Sequence, residues 1–244
     1  MILIGLSKGG FSGISAVAMP VFALAISPVR AAAILLPIKI VQDWVGVWAF
    51  RRDFSDRNLA ILLPASILLP ASILGIGLGW GLAREMPESA VRLSVGIISI
   101  VFSALMFLPE RLRPQGMAMP LVAPGVFWGA ISGFTNMISH SGGPPFLVYV
   151  MPQRLAPAVM AGTATIFFAA VNLLKVPPYL LLGQFSRQNL VASAVMLPVA
   201  ILSTLAGVSL VKRISAEKFY GVILTVTLLV GVKVVYDAAI ELVA

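Results

Sequence analysis

Two glycine-rich stretches interrupt an otherwise apolar sequence and hold the side chains best suited to chemistry. The first reads Gly5-Leu6-Ser7-Lys8-Gly9-Gly10-Phe11-Ser12-Gly13. The second reads Gly133-Phe134-Thr135-Asn136-Met137-Ile138-Ser139-His140-Ser141-Gly142-Gly143-Pro144-Pro145. Glycine lets a backbone turn tightly and approach a ligand, and proline at a helix start presets φ where no N–H partner is lost. A half-helix that begins at such a break offers free N–H groups and the positive end of its dipole, which suits an anion. Ser7, Thr135, Asn136, Ser139 and Ser141 add neutral donors, and Lys8 and His140 add cations. An imidazole that titrates near neutrality could gain a proton as an anion arrives and lose it on release. The plainer readings are a packed, neutral His140 bonded to a carbonyl and a Lys8 that snorkels to the surface. Ser139, His140 and Ser141 also supply hydroxyl and imidazole, but adjacent positions do not aim one at the other and no carboxylate lies nearby. No catalytic residue is assigned, and the chain does not read as an enzyme.

A second group of polar residues lies inside apolar segments. Lys39 and Asp43 are one helical turn apart and can neutralise each other, so a structural ion pair and a role in ion coupling both fit. Asn172 and Lys175 hold the related place in the second half of the chain. Lys233 and Asp237 repeat the spacing near a helix end, where a solvated pair is expected. Gly75, Gly77, Gly79 and Gly81 place small residues along one helix and suit close packing. With no Cys and one His, a metal centre and a disulfide framework are both excluded as expectations, and no cofactor is implied.

The elements that must position these residues follow from composition. Of 244 residues, 59% are hydrophobic and only 11% charged. A soluble domain carries about 25% charged residues, so this chain cannot cover a water-facing surface of its own size. The expected fold is an all-α, polytopic helical membrane protein with about eight or nine membrane segments. Apolar runs predict helices over 11–27, 29–50, 58–82, 90–108, 117–137, 157–181, 190–211 and 219–241. A further apolar piece, 144–152, would cover only about 14 Å as a helix and cannot span alone. Irregular backbone at that depth is tolerated only inside protein or along a wet cavity. The net charge of +8 comes from basic residues in short gaps between apolar runs, which points to lipid headgroups and not to nucleic acid. A cytoplasmic Arg51–Arg57 loop puts Arg111, Arg113, Arg154, Lys212, Arg213 and Lys218 on the same side. Arg30, Arg84, Arg92 and Arg187 then lie outside, with the C-terminus.

The segment Asp53-Phe54-Ser55-Asp56-Arg57-Asn58-Leu59 returns about 130 residues later as Gln184-Phe185-Ser186-Arg187-Gln188-Asn189-Leu190. At a similar interval Ser7-Lys8-Gly9-Gly10 falls on His140-Ser141-Gly142-Gly143, and Met86-Pro87-Glu88 falls on Ser215-Ala216-Glu217. In the orientation above Phe54 is inside and Phe185 outside, so the two halves have opposite topology. The expected division is a first repeat over 1–108, a cytoplasmic linker over 109–116 and a second repeat over 117–244. Inverted repeats with broken helices are the pattern of secondary transporters whose substrate sits at the repeat interface.

Several of these motifs resemble the sulfite exporter TauE/SafE family of membrane permeases. They are Gly5-Leu6-Ser7-Lys8-Gly9-Gly10-Phe11, then His140-Ser141-Gly142-Gly143-Pro144-Pro145, and Gly162-Thr163-Ala164-Thr165 leading to Phe167-Phe168. Asn172, Lys175 and Tyr179-Leu180-Leu181-Leu182-Gly183-Gln184-Phe185 belong to the same pattern. The resemblance implies a multi-pass protein of a bacterial-type inner membrane with two inverted halves. It also implies transport, usually outward, of sulfite, thiosulfate or organosulfonates. Proteins of this family generally begin with another apolar stretch before the first glycine motif, which implies a first helix that starts upstream of Met1. Substrate-binding positions implied together with the glycine gaps are Ser7, Lys8, Gly9, Gly10, Thr135, Asn136, Ser139, His140, Ser141, Gly142 and Gly143. Lys39, Asp43, Asn172 and Lys175 are the intramembrane polar group. The partners expected are a small anion and the lipid bilayer.

Overall fold

The computed structural model describes residues 2, 4–5, 26–67, 88–108, 121–139, 142–150, 153, 155–211, 225, 228–229 and 231–240. Among them every regular element is a helix. In chain order these are α1 Pro28–Ala49, α2 Asp56–Ile67, α3 Glu88–Phe107 and α4 Val122–Ser139, then α5 Gly143–Val150, α6 Pro157–Leu174, α7 Val176–Leu181 and α8 Arg187–Val211. A helical segment at 231–240 follows. The expected helix over 11–27 and the glycine run 75–81 lie outside the described residues.

The starts of these helices have local causes. Pro28 and Pro157 sit in the first turns of α1 and α6, where a missing N–H costs nothing. Both are preceded by an extended residue, Ser27 at φ −56°, ψ 140° and Ala156 at φ −55°, ψ 139°. At α2 and α8 the caps are serines. Ser55 Oγ accepts from the Asn58 N–H and Ser186 Oγ from the Asn189 N–H, both at 3.3 Å. The run expected as one helix over 157–181 breaks at Lys175. Pro177 and Pro178 remove two N–H donors, so α7 starts afresh instead of continuing α6.

Contacts along the helices fix their directions. Ala31, Ala32, Leu35 and Leu36 near the start of α1 cluster with Tyr179 of α7. At the other end of α1, the Ser55 N–H donates to Thr163 Oγ1 near the start of α6, at 2.9 Å. Helices α1 and α6 are therefore antiparallel. Ser193 Oγ donates to the Ile34 carbonyl and Gln42 Nε2 to the Ala200 carbonyl, so α8 runs parallel to α1. The Ser55–Thr163 hydrogen bond brings the starts of α2 and α6 together, and the two pack along each other through Leu59, Leu62, Ala164, Phe167 and Val171, so α2 runs parallel to α6. Helix α4 packs on α2 and α5 on α4, while α3 touches α1 and α4. Gly96 of α3 and Gly231 face each other so closely that an added Cβ at Gly96 would come 3.1 Å from the Gly231 carbonyl.

Three described stretches are long and apolar enough to cross a membrane, namely Arg30–Ala49, Pro157–Leu181 and Arg187–Leu210. Helix α8 turns Val191, Val195, Val199 and Leu202 outward. An apolar stripe of that length needs lipid or another chain to cover it. Trp44 and Trp48 are exposed, one turn apart, at the Asp53 end of α1, and the Arg51 guanidinium lies 5.4 Å from the Trp48 ring centroid. Indoles beside arginine suit the headgroup level of a bilayer. The chain is a helical membrane protein.

Candidate functional site

Helices α4 and α5 form a hairpin around the second glycine gap. Tyr149, at the end of α5, donates its hydroxyl to the Leu121 carbonyl at the start of α4, 3.0 Å away. The chain thus turns at the gap and comes back to the side from which α4 entered. Two contacts set this turn. Ser132 Oγ donates to the Gly142 carbonyl at 2.7 Å, and a Cβ at Gly142 would lie 2.6 Å from the Ser132 carbonyl and 2.7 Å from Asn136 Cβ. Only glycine fits so close an approach. Phe146 locks α5 in place by stacking on Phe167 of α6, with ring centroids 5.2 Å apart.

Asn136, in the part of the second gap that lies within α4, joins a polar network between α4, α6 and α1. Its Nδ2 donates to Asn172 Oδ1 at 3.5 Å, and Asn172 Nδ2 donates to Asp43 Oδ2 at 2.7 Å. The Lys175 ammonium donates to the Asn136 carbonyl. Asn136, Asn172, Lys175, Asp43 and Lys39 are each at most 2% exposed. Lys175 also caps the C-terminus of α6, where a cation is favoured by the helix dipole. Lys39 lies about midway along α1, one turn before Asp43. Because α1 and α6 run antiparallel with Asp43 against Asn172, Lys39 and Lys175 fall at the same level. Placing such groups in an apolar interior costs several kcal/mol per ion, so their gathering at one depth marks this locus.

The network unites residues that the sequence assigned to separate groups. Asn136 comes from the substrate-binding set, while Asp43, Asn172 and Lys175 come from the intramembrane polar set, whose fourth member, Lys39, is buried one turn before Asp43 on α1. Gly142 and Gly143 are buried beside it. Thr135 and Ser139 lie within α4. Ser7, Lys8, Gly9, Gly10, His140 and Ser141 lie outside the described residues. Lys233 and Asp237 form the expected solvated pair at 2.8 Å, 60% and 34% exposed. Among the described residues no group of three or more His, Cys, Asp or Glu is placed to hold a metal ion.

Three buried or half-buried polar residues, Gln42, Asn58 and Gln153, were not singled out as site candidates from sequence. Gln42 is fully buried next to Asp43, and its Oε1 has no hydrogen-bond partner among the described residues. Its position in an apolar helix was a usable signal. Asn58 and Gln153 exchange two side-chain hydrogen bonds of 2.8 and 3.0 Å, which tie the start of α2 to the chain just after α5. Nothing in either local sequence announces that pairing.

A family model described as Sulfite exporter TauE/SafE matches residues 1–234. No curated protein matches the chain, and no solved structure does.

Proposed function

Since the chain belongs to the sulfite exporter TauE/SafE family, a family of membrane transporters, we propose that it is a secondary transporter that carries a small sulfur-containing anion across a bacterial-type inner membrane. Sulfite, thiosulfate and organosulfonates are the substrate candidates, and export is the direction. The observation that carries this reading is the buried contact of Asn172 with Asp43 beside the Gly142 turn. Ionisable residues at such depth are costly to keep and mark transport pathways.

Two inverted halves in a multi-pass topology give the mechanism its geometry. Asp43 and Asn172 are 129 positions apart, and the same interval separates Pro28 from Pro157 at the helix starts. The α2 and α8 starts, Asp56 and Arg187, carry matching serine caps at a nearly equal interval. Helix α1 is antiparallel to α6 and each is flanked by a parallel helix from the opposite half, a placement of these four helices that supports an inverted relation between the halves. A residue that touches its own counterpart lies near the axis relating them. On this reading 1–108 and 117–244 rock about that axis, with 109–116 as a cytoplasmic linker.

Ser7, Lys8, Gly9 and Gly10 of the first gap and Thr135, Asn136, Ser139, His140, Ser141, Gly142 and Gly143 of the second form the anion site. Neutral donors replace part of the anion's hydration shell, Lys8 draws the anion in, and His140 exchanges a proton with its arrival. The test is uptake into proteoliposomes with a panel of sulfite, thiosulfate, sulfate, sulfoacetate and taurine. His140→Gln keeps a donor and should abolish the pH dependence of transport, while Lys8→Met should weaken apparent affinity more than turnover. If both variants keep the affinity and pH profile of the wild-type protein, the site lies elsewhere. Transport of a sulfur-free anion in preference to the whole panel favours the alternative of a different small anion.

A further inference from the structure

Gln42 carries an oxygen that the packing leaves unanswered. The residue is fully buried on α1, and its Nε2 donates to the Ala200 carbonyl of α8 at 3.2 Å, while Oε1 has no hydrogen-bond partner among the described residues. The amide cannot turn over to find one, because Oε1 would then face the Ala200 carbonyl, acceptor against acceptor. Nor does that carbonyl depend on Gln42, since Ser203 Oγ and Thr204 Oγ1 donate to it at 3.0 and 2.8 Å. A buried acceptor without a donor costs stability, and a fold that keeps one calls for a reason. Its place supplies the reason. A Cβ on Gly5, where the first glycine gap begins, would collide with the Ser203 side chain, so that gap starts against the hydroxyls gathered at Ala200. The next residue of α1, Asp43, connects through Asn172 to Asn136 in the second gap. Two consecutive residues of α1 therefore stand between the two gaps.

We propose that Gln42 is a specificity residue, whose Oε1 accepts a hydrogen bond from a hydroxyl that the transported anion carries on its own carbon chain. This inference rests on the transport reading above and narrows it to hydroxyl-bearing sulfonates. The oxygens of an ionised sulfonate only accept hydrogen bonds. That head is served by the N–H and hydroxyl donors of the gaps and gives Gln42 nothing. The missing donor must come from the other end of the molecule. A substrate that brings a hydroxyl there closes the bond, whereas one with a methyl group leaves Oε1 unpaired. A site built to pair with a substrate hydroxyl discriminates strongly against an analogue that lacks it.

The experiment uses isethionate and 1-propanesulfonate, monoanions of similar size that end in a hydroxyl and a methyl group respectively. Apparent affinities come from anion-dependent thermal stabilisation of the protein in detergent, and selectivity from competition in proteoliposome uptake. The wild-type protein is expected to prefer isethionate by about tenfold, a ratio that one buried hydrogen bond supports. Gln42→Met keeps the length of the side chain without the acceptor, and should bring the two affinities to within about twofold of each other. Without ligand this variant should melt at or above the wild-type temperature, because the unpaired oxygen is gone and the Ala200 carbonyl keeps its hydroxyl donors. A wild-type protein that binds the two probes equally, or binds neither, overturns the inference before any variant is made. So does a Gln42→Met protein that keeps the preference, including one that merely loses stability, the result expected of an amide held by an internal water or by packing alone. In each of these cases the transport reading stands if the protein carries any anion of the sulfur panel. A wild-type protein that carries neither probe nor any member of that panel overturns both.

Discussion

The joint between the Asp53 end of α1 and the start of α6 offers the most direct quantitative test of the packing. Gly162 lies so close to the preceding loop that a Cβ built on it would stand 1.7 Å from the Asp53 carbonyl oxygen and 3.1 Å from Phe50 Cβ. Ordinary carbon–oxygen contacts in proteins lie at about 3.3–3.6 Å, so in Gly162→Ala the loop must retreat by roughly 1.5 Å. That movement pulls the Ser55 N–H away from Thr163 Oγ1, now 2.9 Å distant. Overpacking costs about 1–3 kcal/mol and the lost hydrogen bond about 1 kcal/mol. The better helix propensity of alanine returns about 1 kcal/mol. The net is a destabilisation of about 2 kcal/mol, or a fall of about 4–8 °C in Tm for a chain of this size. Thermal unfolding in detergent, followed by helical circular dichroism, reads it. Gly133→Ala is the control, because a Cβ there meets nothing within 4 Å. It should melt at or slightly above the wild-type temperature. A Gly162→Ala protein that melts with the wild type would show that the loop does not rest on α6, and the antiparallel placement of α1 and α6 would lose one of its two supports.

Topology is testable because the chain has no native cysteine. With Asp53→Cys and Gln188→Cys at two exposed positions, a membrane-impermeant maleimide on intact cells should label the second and spare the first, and equal labelling would sink the inverted arrangement. Asn172→Leu removes the amide that donates to Asp43 Oδ2 at 2.7 Å and takes one donor from a buried carboxylate, so it should cost about 1–3 kcal/mol in the same melting assay; a variant that melts with the wild type refutes the contact. Ser186→Ala should cost about 1 kcal/mol through its lost cap. Ser55→Ala should cost more in the same melting assay, because Ser55 Oγ also receives Asn58 Nδ2 at 3.0 Å and Asn58 in turn holds Gln153.

Helix positions were legible in the sequence because they depend on local causes. Apolar runs bounded by proline, glycine and charge located 29–50 and 190–211, and the structure gives Pro28–Ala49 and Arg187–Val211. The short piece expected over 144–152 is α5, Gly143–Val150, with its two prolines in the first turn. The break at Lys175 was missed although Pro177 and Pro178 announced it, because an apolar run long enough to span masks an interruption near its end. Lys39, Asp43, Asn172 and Lys175 could be picked out one by one, since any polar side chain in an apolar segment stands against a desolvation cost. Their meeting could not be read in the same way. Whether Asn172 faces Asp43 or lipid depends on how α6 is rotated and how far it slides along α1, and a shift of one residue turns a helix face by about 100°. That rotation is set by contacts far apart in the chain, such as Phe146 on Phe167 and the Asp53 loop on Gly162. The sequence therefore determined which residues pay for burial, and only the packing of helices distant in the chain decided which of them share one site.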